Sequence, residues 1–389
     1  MAKEAKVKVL HQDKETLCKI LEVDVIGKRI LTPIKTINLS YINPQIPIKT
    51  NINLLGEIYK TLDKKKLNKL VNDTDEQIKF NNELNTLIRK AQLLNIPVIM
   101  FIPTLETIKI SDKEIEFILA TQEYYSDFYI VPSIKRAGKL VKEGLEIDEY
   151  LNFIKKFIEL LESFKEKPLM GLIPMTLPFI GQLVKFYLKH NITAYCLDFD
   201  GRASTSLIQN ISQLQRTLKN IDVFLHATNM NIGRPLKRAP VIPAKDVLSY
   251  GFGIDSLGEN HLPPRIPEEA RRRLGGPRIE EVKNLRIFNK EDYGYYKIQD
   301  KNTLRKIYPP DTNINLELLL DKSTYRRRTA QSMFNAEQIS IETNRLKEVI
   351  KEKEVAKYLK KKEYIKEELK KITKIKKDLT KPRPLTEYL

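Results

Sequence analysis

The sequence predicts an α/β fold, a TIM-type (β/α)8 barrel with an N-terminal β-hairpin and a C-terminal helical extension, on three observations. Short apolar runs recur between residues 96 and 254, a helical pattern separates most from the next, and no G-x-G-x-x-G turn follows any of them. Unbroken apolar runs suit parallel strands covered on both faces, and their alternation with helices is that of repeated βαβ units. An open doubly wound sheet would give the same string, but the missing glycine turn argues against its dinucleotide-binding form. At 389 residues the chain can hold one barrel of roughly 250 residues plus appendages.

Residues 6–10, 20–26 and 29–37 read as short strands with a turn at Gly27-Lys28, which makes residues 1–37 an N-terminal hairpin unit. From 52 to 95 the pattern is helical: Leu54, Ile58 and Leu62, then Leu84, Leu87 and Ile88, fall at helical spacings. Strands follow at 96–102, 127–132, 168–174, 192–199, 221–226 and 247–254, with helices at 112–124, 148–165, 180–188 and 204–218, so the barrel occupies 38–262. Residues 263–343 form an Arg- and Tyr-rich extension packing on the barrel, opening with the Pro-, Gly- and Arg-rich stretch up to Arg278. Residues 344–389 form a charged helix and tail. The stripe Ile365, Leu369, Ile372, Ile375, Leu379 can dock on the barrel or pair with another helix, which leaves a homodimer, or a heterodimer with an active homologue, open.

The formal net charge of +18 attracts polyanions, which makes nucleic acid, tRNA or DNA, the expected large partner. The two cysteines, Cys18 and Cys196, exclude a disulfide framework and a cysteine zinc site; no metal and no cofactor are expected. The longest apolar stretches fall short of the roughly 20 residues that span a bilayer. With no apolar secretory core at the start, this predicts a cytoplasmic protein with no membrane partner.

A barrel carries its chemistry at the C-terminal ends of its strands. That rule selects Asp198, Asp200, Gly201 and Arg202 after one strand, His226 and Asn229 after the next, and Gly253, Asp255, Glu259 and His261 around the last. Asp198 and Asp200 flank Phe199, so an extended chain would point both carboxylates to one side, where they can divide acid and base roles; alternatively one caps a helix and the other pairs with Arg202. His226 can donate to a planar ligand or act as a base. Asp255, by preference, or Glu259 supplies a nucleophile, while the glycines admit a ligand close to the backbone. The clusters Arg271, Arg272, Arg273 and Arg326, Arg327, Arg328 suit phosphate oxygens.

Four stretches, Gly27 to Pro33 (GKRILTP), Phe199-Asp-Gly201, the segments Val223 to Asn229 and Pro243 to Asp255, and Phe334 to Leu359, together resemble the tRNA-guanine transglycosylase family, TIM barrels that exchange a guanine for a 7-deazaguanine. The resemblance implies that a carboxylate attacks the anomeric carbon while Asp198 or Asp200 and His226 hold the leaving base, in tRNA or DNA. The position matching the family's catalytic aspartate, three residues beyond Asp255, is Gly258, and the family's Cys-x-Cys-x-x-Cys and His zinc site is missing. The sequence therefore predicts a divergent transglycosylase-like protein, the alternatives being a non-catalytic nucleic-acid-binding barrel subunit and an unrelated TIM-barrel enzyme on a small anionic substrate.

Overall fold

A computed structural model describes residues 4–49, 52–164, 166–233, 241–262, 286–298 and 301–381. Its centre is a curled, nine-stranded, all-parallel sheet. A three-stranded antiparallel sheet precedes it: β1 (Lys6–Gln12), β2 (Lys19–Val25) and β3 (Lys28–Leu31). The predicted strand 29–37 is two: β3 ends before Thr32-Pro33, and β4 (Ile34–Asn38) joins the large sheet instead. Proline lacks the N–H that would continue a ladder.

The next strand, β5 (Leu54–Leu62), corrects the helical reading of residues 52–62. Its four-residue leucine and isoleucine spacing imitates a helix, yet Leu54, Leu55, Ile58 and Leu62 are all buried between β4 and β6 (Ile99–Leu105), with helical layers outside. Helices α1 (Lys64–Asn72) and α2 (Thr74–Leu93) begin only after it, both capped by an aspartate side chain: Asp63 accepts from the Lys66 amide, Asp73 from those of Asp75 and Glu76.

From β6 onward helix and strand alternate: α3 (Asp112–Tyr125), β7 (Tyr129–Ile130) and β8 (Ser133–Ile134), α4 (Ala137–Lys142) and α5 (Ile147–Leu161), β9 (Leu169–Pro174), α6 (Ile180–Lys189), β10 (Ala194–Asp198), α7 (Ile208–Thr217) and β11 (Phe224–Thr228). The short β12 (Val241–Pro243) leaves the large sheet for a small antiparallel one. The predicted strand 247–254 is instead a buried 3-10 helix, Val247–Phe252, and the strand, β13 (Ser256–Leu257), starts beyond it. The large sheet runs β7-β9-β10-β11-β13-β4-β5-β6-β8, so its two edge strands are separated in the chain by only Val131 and Pro132.

Behind β13 and β4 lies the C-terminal part. β14 (Arg286–Asn289) and β15 (Gly294–Lys297) form the small sheet with β12, followed by α8 (Lys301–Ile307), α9 (Thr324–Glu352), α10 (Val355–Lys360) and α11 (Leu369–Thr380). α9 runs unbroken through residue 344, where a boundary is expected from sequence, and buries Met333, Phe334, Ile339, Leu346 and Ile350. The expected boundary at 37/38 likewise falls inside β4. The apolar stripe docks inward: Ile365, Leu369, Ile372 and Ile375 are buried, with Ile372 against Gly251. No helix among the described residues is long and apolar enough to cross a membrane.

Candidate functional site

The middle of β5, the C-terminal ends of β10 and β11 and the loop after β13 bring polar side chains together. Parallel register sets Asp198 beside Thr228 on β11 and Pro174 on β9. Asp198 is 7% exposed. It accepts from the Ser133 hydroxyl (2.5 Å), the Asn229 amide nitrogen (3.0 Å) and the Asp200 backbone N–H (2.9 Å). Burial raises its pKa above the ordinary carboxylate value; the three donors oppose that rise without cancelling it, and the charge of Asp200 adds to it.

Asp200 does not share Asp198's face. Its φ of +48° turns the chain out of the strand, and Gly201 continues the turn at +70°, its N–H donating to the Asn229 carbonyl (2.8 Å). The chain leaves the strand at Asp200, so in place of the expected pair of parallel carboxylates Asp198 has the Asp200 backbone N–H against it. Arg202 is exposed at the rim, its carbonyl accepting from Asn231 N–H (3.0 Å).

The centre of the cluster is Glu57, which sequence reasoning missed together with its strand. It is fully buried. Its Oε1 accepts from His261 Nε2 (2.9 Å) and from the Glu259 backbone N–H (2.5 Å). Its Oε2 lies 3.4 Å from His226 Nε2, and neither atom has a hydrogen-bond partner. Burial alone would raise the Glu57 value, but the two imidazoles outweigh it and hold the carboxyl well below the usual range. The only sequence signal was an acid set in the apolar run Leu54 to Leu62.

His226 and Asn229, both expected here, are fully buried, and His261 joins them. Asn229 joins the two carboxylates: its amide nitrogen reaches Asp198 and Tyr59 Oη (3.3 Å), while its oxygen accepts from the His261 N–H (3.1 Å). Its own φ is +55°, which asparagine tolerates better than most residues. Tyr59 stacks on His261 with centroids 4.3 Å apart and planes 2° from parallel. Other buried groups without a hydrogen-bond partner include Thr228 Oγ1, on the strand register of Asp198, and Tyr150 Oη, whose ionisation burial and then the Asp198 charge oppose.

Glu259 contributes its backbone to this mouth; its carboxylate turns away to Lys35 (2.9 Å), whose ammonium also donates to the carbonyls of Leu257 (3.2 Å) and Gly258 (3.1 Å). Asp255 and Gly253 do not belong to it. Asp255 precedes β13 and lies level with Leu225 and Tyr195, three residues before Asp198 in register, or about 10 Å along the strands. Its Oδ2 accepts from the Leu225 N–H (2.9 Å) and lies 3.5 Å from Lys19 Nζ on β2. Burial pushes its carboxyl up to about 7 against the pull of Lys19. Gly253, at φ +85°, closes the 3-10 helix beside Gln215 and Leu17, at this same end. The expected nucleophile is thus at the wrong end of the strand.

Arg271, Arg272 and Arg273 lie outside the described residues. Arg326, at the start of α9, is exposed; Arg327 donates to the Asp321 carbonyl (3.3 Å); Arg328 hydrogen-bonds Tyr41 and lies 4.6 Å over its ring. Tyr41 follows β4 on the mouth side, so Arg328 reaches toward the mouth. No group of three or more His, Cys, Asp or Glu among the described residues is arranged to hold a metal ion. No protein-family model matches the sequence, and no curated protein matches it.

Proposed function

We propose that the nine strands β4 to β11 and β13 close into an eight-stranded barrel, with β7 and β8 as the two halves of one strand, and that its mouth receives a nitrogen heterocycle of a nucleic acid, whose N-glycosidic bond is cleaved or exchanged as in the transglycosylases that the sequence resembles. Closure is supported by residues 129–134: β7 pairs with β9, β8 pairs with β6, and Val131 N–H donates to the Met170 carbonyl between them (3.2 Å).

The observation that carries the functional reading is the opposed state of two carboxyls in one mouth, Asp198 raised and Glu57 lowered. Such a split assigns acid and anion roles. In this scheme Asp198 in its neutral form gives its proton to the departing ring nitrogen as the C1′–N bond breaks. An incoming base or water then bonds C1′ and returns a proton to Asp198. An acceptor-rich interior suits a ligand rich in N–H donors, whereas Lys35 is held by Glu259 and Arg328 by Tyr41, which disfavours a small anionic substrate. The exposed Arg202 at the rim and the exposed Arg326 at the start of α9 suit the phosphates of a polymer.

Purified protein should release or exchange labelled guanine or a deazaguanine in tRNA or DNA, and Asp198→Asn should lose that activity; no reaction with either polymer would sink the proposal. One observation favours a purely binding role instead: Glu57 has both oxygens turned to histidines, and position 258 carries no carboxylate. Base-specific binding without turnover, surviving Asp198→Asn, would select that reading.

A further inference from the structure

The loop after β13 passes Glu57 so closely that a Cβ at Gly258 would overlap Glu57 Oε2, while standing 2.8 Å from the Ala227 carbonyl oxygen and 3.0 Å from His226 Cε1. The backbone of Gly258 is not left-handed, unlike that of Gly253 or Gly201, so its conformation would admit any residue. Space alone forbids a side chain, and a large part of that space is filled by the Glu57 carboxylate arriving from β5.

That carboxylate meets both rings, His261 through a hydrogen bond and His226 through a 3.4 Å approach that is not one. Asn38 Oδ1 accepts from the Ser40 N–H (2.9 Å), so its amide nitrogen is what faces His261 Nδ1 at 3.3 Å. His261 Nδ1 is then the acceptor, and Nε2 carries the proton toward Glu57 Oε1. On the other oxygen, His226 Nε2 faces Oε2, while its Nδ1 lies 3.2 Å from Ser256 Oγ, itself 2.7 Å from Thr36 Oγ1. One carboxylate thereby has an imidazole on each oxygen. The His261 backbone N–H, not its ring, donates to Asn229, which in turn donates to Asp198.

We propose that Glu57 is the positioning residue of the mouth: entering where a side chain at position 258 would stand, it locks His226 and His261 as Nε2–H tautomers and, through His261 and Asn229, sets the place of Asp198. This role rests on the reading of the mouth as the reactive site, but its first test does not need a substrate. Imidazole nitrogen NMR of the full-length protein should find both rings in the Nε2–H form. Glu57→Gln keeps the shape but offers one acceptor and one donor, so one ring must lose its acceptor and change tautomer. Gly258→Ala, which pushes a methyl against Oε2, should scramble the same two rings in a chain whose circular dichroism stays native.

If base exchange is observed, Glu57→Gln should lower kcat on the order of 100-fold with little change in KM, and shift the alkaline limb of the pH profile, which Asp198 sets by losing its proton. A wild-type ring bearing its proton on Nδ1, or a Glu57→Gln protein with both rings still Nε2–H, overturns the proposal even if neither variant folds well enough for kinetics. A protein with both rings in the Nε2–H form but silent toward every nucleic acid would instead overturn the exchange reaction and leave the tautomer lock standing.

Discussion

The two ends of the large sheet each bury a carboxylate against β11, and they treat it differently. At the mouth, Glu57 has two imidazoles and a backbone N–H around its oxygens and stays ionised far into acid. At the opposite end, Asp255 has one backbone N–H and a lysine at 3.5 Å, its Oδ1 has no partner, and its carboxyl rises to about 7. Burial is nearly equal; the donors decide. Asp198 stands between them, with three neutral donors that moderate its rise without reversing it. A mouth with one carboxyl of each kind fits the proton transfers of the proposed reaction, whereas the lone Asp255 fastens β2 to the start of β13.

The comparison can be broken at several points. The largest expected effect is Asp198→Asn, which should reduce base exchange on the order of 1000-fold while the melting temperature hardly moves, measured by release of labelled base and by calorimetry. Glu57→Ala leaves two buried imidazoles and the Glu259 N–H facing an empty space and should cost about 3 kcal/mol in urea denaturation, as stranding buried hydrogen-bonding groups does. Asp255→Asn should leave exchange intact and change only the pH dependence of stability. Because the folded carboxyl binds its proton more tightly than the unfolded one, native stability should fall as pH rises from about 4 to about 7 and level off above that; the amide variant should lack that component of the slope. A denaturation series showing the same slope in both proteins would remove Asp255 from the account. Smallest of all, Arg326→Ala should weaken nucleic-acid binding uniformly across sequences and lower the salt slope by about 1.

Much of this was legible in the sequence, for reasons visible residue by residue. Apolar runs from residue 99 to 228 announced their strands because both faces are covered, and the strand-end rule then picked out Asp198, His226 and Asn229. Glu57 escaped because it sits inside a strand rather than after one, and because the spacing of Leu54, Ile58 and Leu62 fits a helix as well. Asp255 was misplaced by the apolar run 247–254: read as a strand, it puts Asp255 at the reactive end, but the run coils into a 3-10 helix and the two-residue strand begins after it. A segment that short leaves no period to detect.

The course of α9 limits how the molecule can be taken apart. Its first turns reach Tyr41 beside the mouth, Glu337 accepts from the Lys49 N–H (2.9 Å), Ser340 donates to the Asn53 carbonyl (2.9 Å), and just past its last turn the Val355 N–H reaches Asp13 (3.3 Å). A chain stopped after Leu262 would keep every residue of the mouth cluster and still strip the cover from β4, so the shortest piece that behaves as the native protein must extend past residue 355.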